Sequence, residues 1–281
     1  MEIRGVEIKP MNYELLRNFV SNMMLKEERK YCHFVTINPE FIVESTQNVQ
    51  FKDVLNRAEL TLVDGVGILA AMDYQNKLSQ SESVARMIQF GVSCVDVGVL
   101  KQKVLVDGVQ VERITGIDLI HWLCNQPEMR GKRVFLLGGR PVDVVEKAKE
   151  VLAKNYSELI FECDPGHQNI KEIMSQGSSE IDAESKRIVA KINDSGAEVL
   201  LVAYGHPWQD LWLDKVRDEL KTVRLAGGVG GAFDFIAENV KRAPEWMRGR
   251  GLEWLYRLGE QPERLPRILN ATWRFGRILT S

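Results

Sequence analysis

Short apolar runs rich in β-branched residues alternate with amphipathic stretches through most of the chain. The runs predict strands at Cys32–Ile37, Leu60–Val63, Arg133–Leu137, Glu158–Glu162, Glu198–Tyr204 and Val223–Ala226. The stretches between them carry a helical period at Pro39–Ala58, Val66–Asn76, Thr115–Asn125, Val142–Asn155, Ala183–Ser195 and Trp208–Lys221. Such alternation predicts an α/β fold, a mainly parallel, Rossmann-like sheet covered by helices on both faces. The strands are almost continuously apolar, as strands buried on two sides must be.

Two regions depart from this rhythm. Between two alternating runs at 103–114 stands Asp107-Gly108, the signature of a tight type I′ hairpin. Ahead of it Ser79–Leu100 shows no clear period and reads as a mobile insertion, and SQGSSE (175–180) reads as a polar loop. Beyond Phe235 arginines alternate with Trp, Leu, Ile and Phe, and Pro244, Pro262 and Pro266 divide the segment into several short helices. The chain thus divides into an α/β core over 1–236, with an insertion at about 77–112, and a helical basic appendage over 237–281. From pattern alone the appendage fits an interfacial amphipathic segment and a core-packed helix with solvated arginines equally well.

Composition changes little of this. With 44% hydrophobic and 27% charged residues among 281, the chain is an ordinary globular one. It has no run long enough for a membrane span, and MEIRGVEIKP lacks the layout of a secretory signal. Four scattered cysteines read as buried thiols of a reducing cytosol. The net charge of −2 conceals an asymmetry: Lys241 to Ser281 holds nine Lys or Arg against four Asp or Glu, and the rest 28 against 35. A basic tail on an acidic body predicts an anionic partner, a membrane surface or a phosphorylated ligand. No nucleic-acid motif accompanies it.

Ligands of open α/β sheets sit at the carboxyl ends of the strands. Polar and glycine-rich corners follow there at Thr36–Pro39, Asp64–Gly67, Gly138–Pro141, Gly205–Asp210 and Gly227–Gly231. Asp64, Thr36 and Asn38 each have a local explanation as a helix cap beside the functional one. The spacing Gly65-x-Gly67-x-x-Ala70 approaches a dinucleotide fingerprint, but LSQSESVARM follows where a second strand and its terminal acid belong. The histidines are solitary, and no Asp-x-Asp pair exists for a metal-held sugar nucleotide.

Taken together the corners resemble the WecG/TagA/CpsF glycosyltransferase family. The matching segments, in family order, are TINPEF (36–41), LVDGVGI (62–68), RITGIDL (113–119), VFLLGG (134–139), GHPWQD (205–210), GVGGAFDF (228–235), KRAPEWM (241–247) and GLEWLYRLGEQPERLPR (251–267). The resemblance implies an inverting, metal-independent transferase with no cofactor. It would move N-acetylmannosamine or a related hexose or uronic acid from UDP to a polyprenyl-diphosphate-linked glycan in cell-surface polysaccharide synthesis.

By the same resemblance Asp64 is the general base and Thr36 stands beside it in the catalytic corner. Asn38, Arg113, Gly138, Gly139, Gly205, Gln209, Gly228, Gly230 and Asp234 line the UDP-sugar pocket. Arg257, Arg264 and Arg267 meet the lipid diphosphate or an anionic membrane. An ionised aspartate serves such a base without an unusual pKa. The location implied is cytoplasmic, peripheral on the inner face of the cytoplasmic membrane. An oligomer stays open, because an appendage packs in trans as readily as in cis. The chain departs from the family in the extra residues of 77–112, in Asp210 for Glu, in Glu238 for glycine, and in Gly166-His167-Gln168 for Gly-Tyr-Phe. Two other readings remain: a nicotinamide-dependent oxidoreductase, and a silent membrane-associated scaffold.

Overall fold

The computed structural model describes residues 1–78, 86–175 and 181–280. The chain opens with a hairpin, β1 (Glu2–Ile3) and β2 (Val6–Glu7), followed by the helix Tyr13–Leu25 capped by Asn12. The strands β3 (Cys32–Ile37) and β4 (Leu60–Val63) come next, then a second hairpin, β5 (Lys103–Val106) and β6 (Val109–Glu112). The remaining strands are β7 (Arg133–Gly138), β8 (Ile160–Asp164), β9 (Val199–Ala203) and β10 (Leu225–Gly228). Six strands form one sheet in the order β4-β3-β10-β9-β7-β8, and every pairing in it is parallel.

Adjacent residues of a strand serve opposite faces. Phe34, Leu136 and Leu201 pack with the helices Tyr13–Leu25, Gly116–Cys124 and Asp143–Asn155, whereas Leu137, Leu200 and Val202 pack with Ala183–Ser195 and Trp208–Val216. Val35, Ile37 and Val63 join a third cluster with Pro39–Ser45, Val49–Arg57 and Val66–Leu78. Both faces being covered explains the continuous apolar runs.

The tight hairpin at 103–112 is as expected: Asp107 and Gly108 sit at φ +48° and +79°, the two positive angles a type I′ turn requires. The helix expected over 39–58 is two helices, because Asn48 caps a second one by accepting the amide of Phe51. The stretch without a period is helical from Arg86 to Lys101, although 79–85 and most of SQGSSE lie outside the described residues. Phe90 and Val97 are buried there while Ile88, Val92 and Val95 are exposed, so the apolar positions form no single stripe.

Short helices at Glu245–Arg248 and Glu253–Glu260 precede consecutive helical turns from Leu265 to Thr280. These turns dock through Phe275, which is fully buried with its ring 6.0 Å from Phe90; Phe90 in turn meets Tyr74 at 5.8 Å. Among the described residues no helix is long and apolar enough to cross a membrane.

Candidate active site

All six parallel strands point their carboxyl ends one way, and two cavities open there. The first, ≈ 320 Å³, is polar and lies over the ends of β3, β9 and β10. Gln209, buried at its floor, accepts the amides of Gly205 and Gly230 at 3.1 and 3.2 Å and so ties two glycine corners together. A Cβ on Gly228 would stand 1.9 Å from the Gln209 side chain, which is why that strand ends in glycine. The second cavity, ≈ 430 Å³, is lined largely by apolar side chains of the 86–101 helices and of the C-terminal helices. Asn38, Asp64, Glu253, Arg257, Arg264 and Arg267 belong to both walls.

Asp64 follows β4, and its amide donates to the Ile37 carbonyl at 2.9 Å, which fixes its position against β3. Asn38 caps the neighbouring helix Pro39–Ser45, its Oδ1 accepting the amides of Glu40 and Phe41. The Asp64 carboxylate makes no hydrogen bond among the described residues. Burial pushes its carboxyl up to about 6; Glu253 and Asp118 add to this, while Arg113 and Arg257 oppose it. The neighbouring glycines answer to packing: a Cβ on either Gly65 or Gly67 would come within 2.7 Å of the Pro39 ring. Among the described residues no strand of the sheet follows the Val66–Leu78 helix where a dinucleotide unit would place its second one; the next described strands form the separate β5–β6 hairpin.

Thr36 is buried and donates to the Gly228 carbonyl at 2.9 Å, joining β3 to β10 beneath the first cavity. Gly139, Gly205, Gly230 and Asp234 line that cavity, and Gly138 lies just below it at the end of β7. Arg113 is placed elsewhere. It lines the second cavity, donates to the Arg248 carbonyl at 3.1 Å and approaches Glu253 at 3.9 Å. Burial raises the Asp234 carboxyl against the opposing pull of Arg264 and Arg257.

The three appendage arginines converge on the shared wall. Arg257 stacks over Phe235 at 4.4 Å, and Arg267 donates to Glu40 at 3.0 and 3.1 Å. Burial, followed by Arg257 and then Arg267, lowers Arg264 to about 10. A crowd of partly buried cations is a receptor for anions.

Several residues that sequence reasoning passed over complete the arrangement. His206, whose pKa burial lowers against the opposing pull of Glu40, lies 3.3 Å from Glu40 and links the GHPWQD corner to Arg267 through it. His167 lines the first cavity and bonds Ser185 at 2.8 Å. Arg242 pairs with Asp118 at 2.6 Å and reaches Glu253 at 3.8 Å, so KRAPEWM fastens the appendage to the core. Glu40, His206 and Glu253 all stand inside the family-matching segments. Their partners lie far along the chain, and spacing shows nothing of that. Among the described residues no group of three or more His, Cys, Asp or Glu side chains is placed to hold a metal ion.

A family model described as "Glycosyl transferase WecG/TagA/CpsF family" matches residues 1–90 and 91–281. The chain belongs to the WecG/TagA/CpsF glycosyltransferase family. It is a glycosyltransferase of cell-surface polysaccharide synthesis. It is 30% identical over 273 residues to an N-acetylglucosaminyldiphosphoundecaprenol N-acetyl-beta-D-mannosaminyltransferase of Bacillus spizizenii (strain ATCC 23059 / NRRL B-14472 / W23), covering 94% of this chain and 88% of that one. This membership displaces the oxidoreductase reading. Glu238, where the family prefers glycine, has φ +58°, so the backbone itself accounts for that preference.

Proposed function

We propose that this glycosyltransferase moves N-acetylmannosamine, or a related hexose or uronic acid, from UDP to a polyprenyl-diphosphate-linked glycan with inversion. The observation that carries the reading is the position of Asp64 on the wall between a polar and an apolar cavity. The UDP-sugar takes the polar side, where Gln209 ties the Gly205 and Gly230 corners together. The acceptor hydroxyl arrives from the other side and attacks the anomeric carbon. Asp64 takes its proton as the bond to UDP breaks on the opposite face. Arginines and backbone amides meet the negative charge that grows on the diphosphate. The name of the Bacillus relative supports both the sugar and the lipid-linked acceptor.

The test is transfer from UDP-N-acetylmannosamine to a synthetic diphospholipid carrying N-acetylglucosamine, followed by mass spectrometry of the lipid. The expected product is the lipid extended by one N-acetylhexosamine. Absence of transfer from UDP-N-acetylmannosamine and its uronic acid alike overturns the reading.

The same proposal places the protein on the inner face of the cytoplasmic membrane. Trp246, Trp254, Leu265, Leu269 and Trp273 are exposed on the appendage, and Arg250, Arg274 and Arg277 are exposed beside them. This combination of aromatic and basic side chains suits an anionic interface. A cation near such a surface is worth about 1 kcal/mol, so Arg274→Glu with Arg277→Glu should lower partitioning onto anionic vesicles by about tenfold or more. Sedimentation with vesicles at low and high salt reads this out. Equal, salt-insensitive partitioning of both proteins would count against a membrane role.

A further inference from the structure

We propose that the apolar cavity between the 86–101 helices and the C-terminal helix holds the first isoprene units of the lipid acceptor. The inference rests on the acceptor being an isoprenoid diphosphate and adds a site for its hydrocarbon. Val66, Phe90, Val95, Trp254, Ile268 and Phe275 supply an apolar lining. At ≈ 430 Å³ the cavity is of ligand size, within the roughly 300–1,000 Å³ of small-molecule sites. Its apolar walls come mainly from the helical insertion and the appendage, closed on the core side by Pro39 and the Asp64–Gly67 corner. Insertion and appendage meet through the Phe90–Phe275 contact at 6.0 Å and beside Gly276, where an added Cβ would stand 3.4 Å from the Phe90 ring.

Charge indicates which way a lipid lies. Arg113, Arg264 and Arg267 stand on the cavity wall on the side of Asp64, where the polar cavity begins. A diphosphate at this boundary puts its sugar toward Asp64 and its chain among the aromatic rings. Arg113 and Arg267 reach Glu253 and Glu40, but Arg264 pairs with no carboxylate among the described residues, and an uncharged lipid or an apolar peptide would leave it without a counter-ion. The insertion therefore acts as half of a lipid sleeve, and chain length and branching become part of acceptor recognition.

Binding to the full-length protein tests this without sugar transfer, by calorimetry with farnesyl diphosphate and with inorganic diphosphate. Burial of the prenyl chain should make farnesyl diphosphate bind about tenfold or more tightly. Ala271→Trp, on the helix wall, and Val95→Trp, on the insertion, each fill the cavity from a different side. Both should remove the preference while leaving inorganic diphosphate binding unchanged. Equal affinity of the wild type for the two ligands, or a preference that survives both substitutions, overturns the proposal. Tighter binding of dodecyl diphosphate than of farnesyl diphosphate assigns the cavity to an unbranched chain and overturns it as well. Failure of the transferase reading shows separately, as absence of sugar transfer while farnesyl binding persists.

Discussion

Asp64→Asn is expected to lower kcat by about 10²–10⁴-fold, the usual share of a positioned general base, with little change in KM for the UDP-sugar. Asparagine keeps the shape of the side chain but cannot accept the proton. The substitution should spare the fold, since the carboxylate caps no helix and the position is held by its backbone amide on Ile37. The pH profile gives a second readout. Burial holds the Asp64 carboxyl at about 6, well above an ordinary aspartate, so it is a stronger base and still largely ionised at neutral pH. A base works only when deprotonated. Wild-type kcat/KM should therefore be flat above about pH 6 and fall by roughly tenfold per unit below it. In the Asn variant the residual rate should lack that acid limb. Unchanged turnover, or an acid limb that survives the substitution, would remove Asp64 from the role.

What could be read in advance follows from where each signal resides. β3 and β4 were legible to the residue, because a strand buried on both faces leaves a mainly apolar run, its few polar side chains (His33, Thr36, Thr61) being buried too. The corners after them were legible as places, since parallel strands deliver their ends to one side. The helix Tyr13–Leu25 escaped notice although Leu16, Val20 and Met24 repeat every fourth residue and Asn12 caps it. The 86–101 helices gave no such stripe, because Ile88, Val92 and Val95 are apolar yet exposed and Ser93 is polar yet buried, which blurs the period of Phe90 and Val97. The second cavity was invisible for a related reason. Phe90 and Phe275 lie far apart in the chain, and neither segment alone is concave. The raised carboxyl of Asp64 was unforeseen as well, since burial is its largest cause and the charges that act on it, Arg113, Glu253, Arg257 and Asp118, lie far along the chain.

Arg257→Ala should lower kcat/KM by about 10²–10³-fold, as loss of a preorganised donor to developing charge does. Two diphosphates, one on the sugar donor and one on the acceptor lipid, must approach each other across the wall that Arg257 shares. Their repulsion would otherwise oppose the reactive geometry. The surroundings prepare the guanidinium to counter it. The face of Phe235 supports it at 4.4 Å, its Nε is buried without a partner, and burial weakens its hold on its proton. Its neighbours Arg264 and Arg267 add to the positive charge, and of these two only Arg267 has a carboxylate partner, Glu40, among the described residues. The substitution also acts on the base. Arg257 pulls the Asp64 carboxyl down, so its removal should move the acid limb of the pH profile above 6. Arg257→Lys retains the charge without the planar fork; it should leave the acid limb near the wild-type position and recover only part of the rate. An acid limb that stays in place in Arg257→Ala would show that the guanidinium does not act on Asp64. A rate defect repaired fully by lysine would show that charge alone, without the fork, is what the diphosphates require.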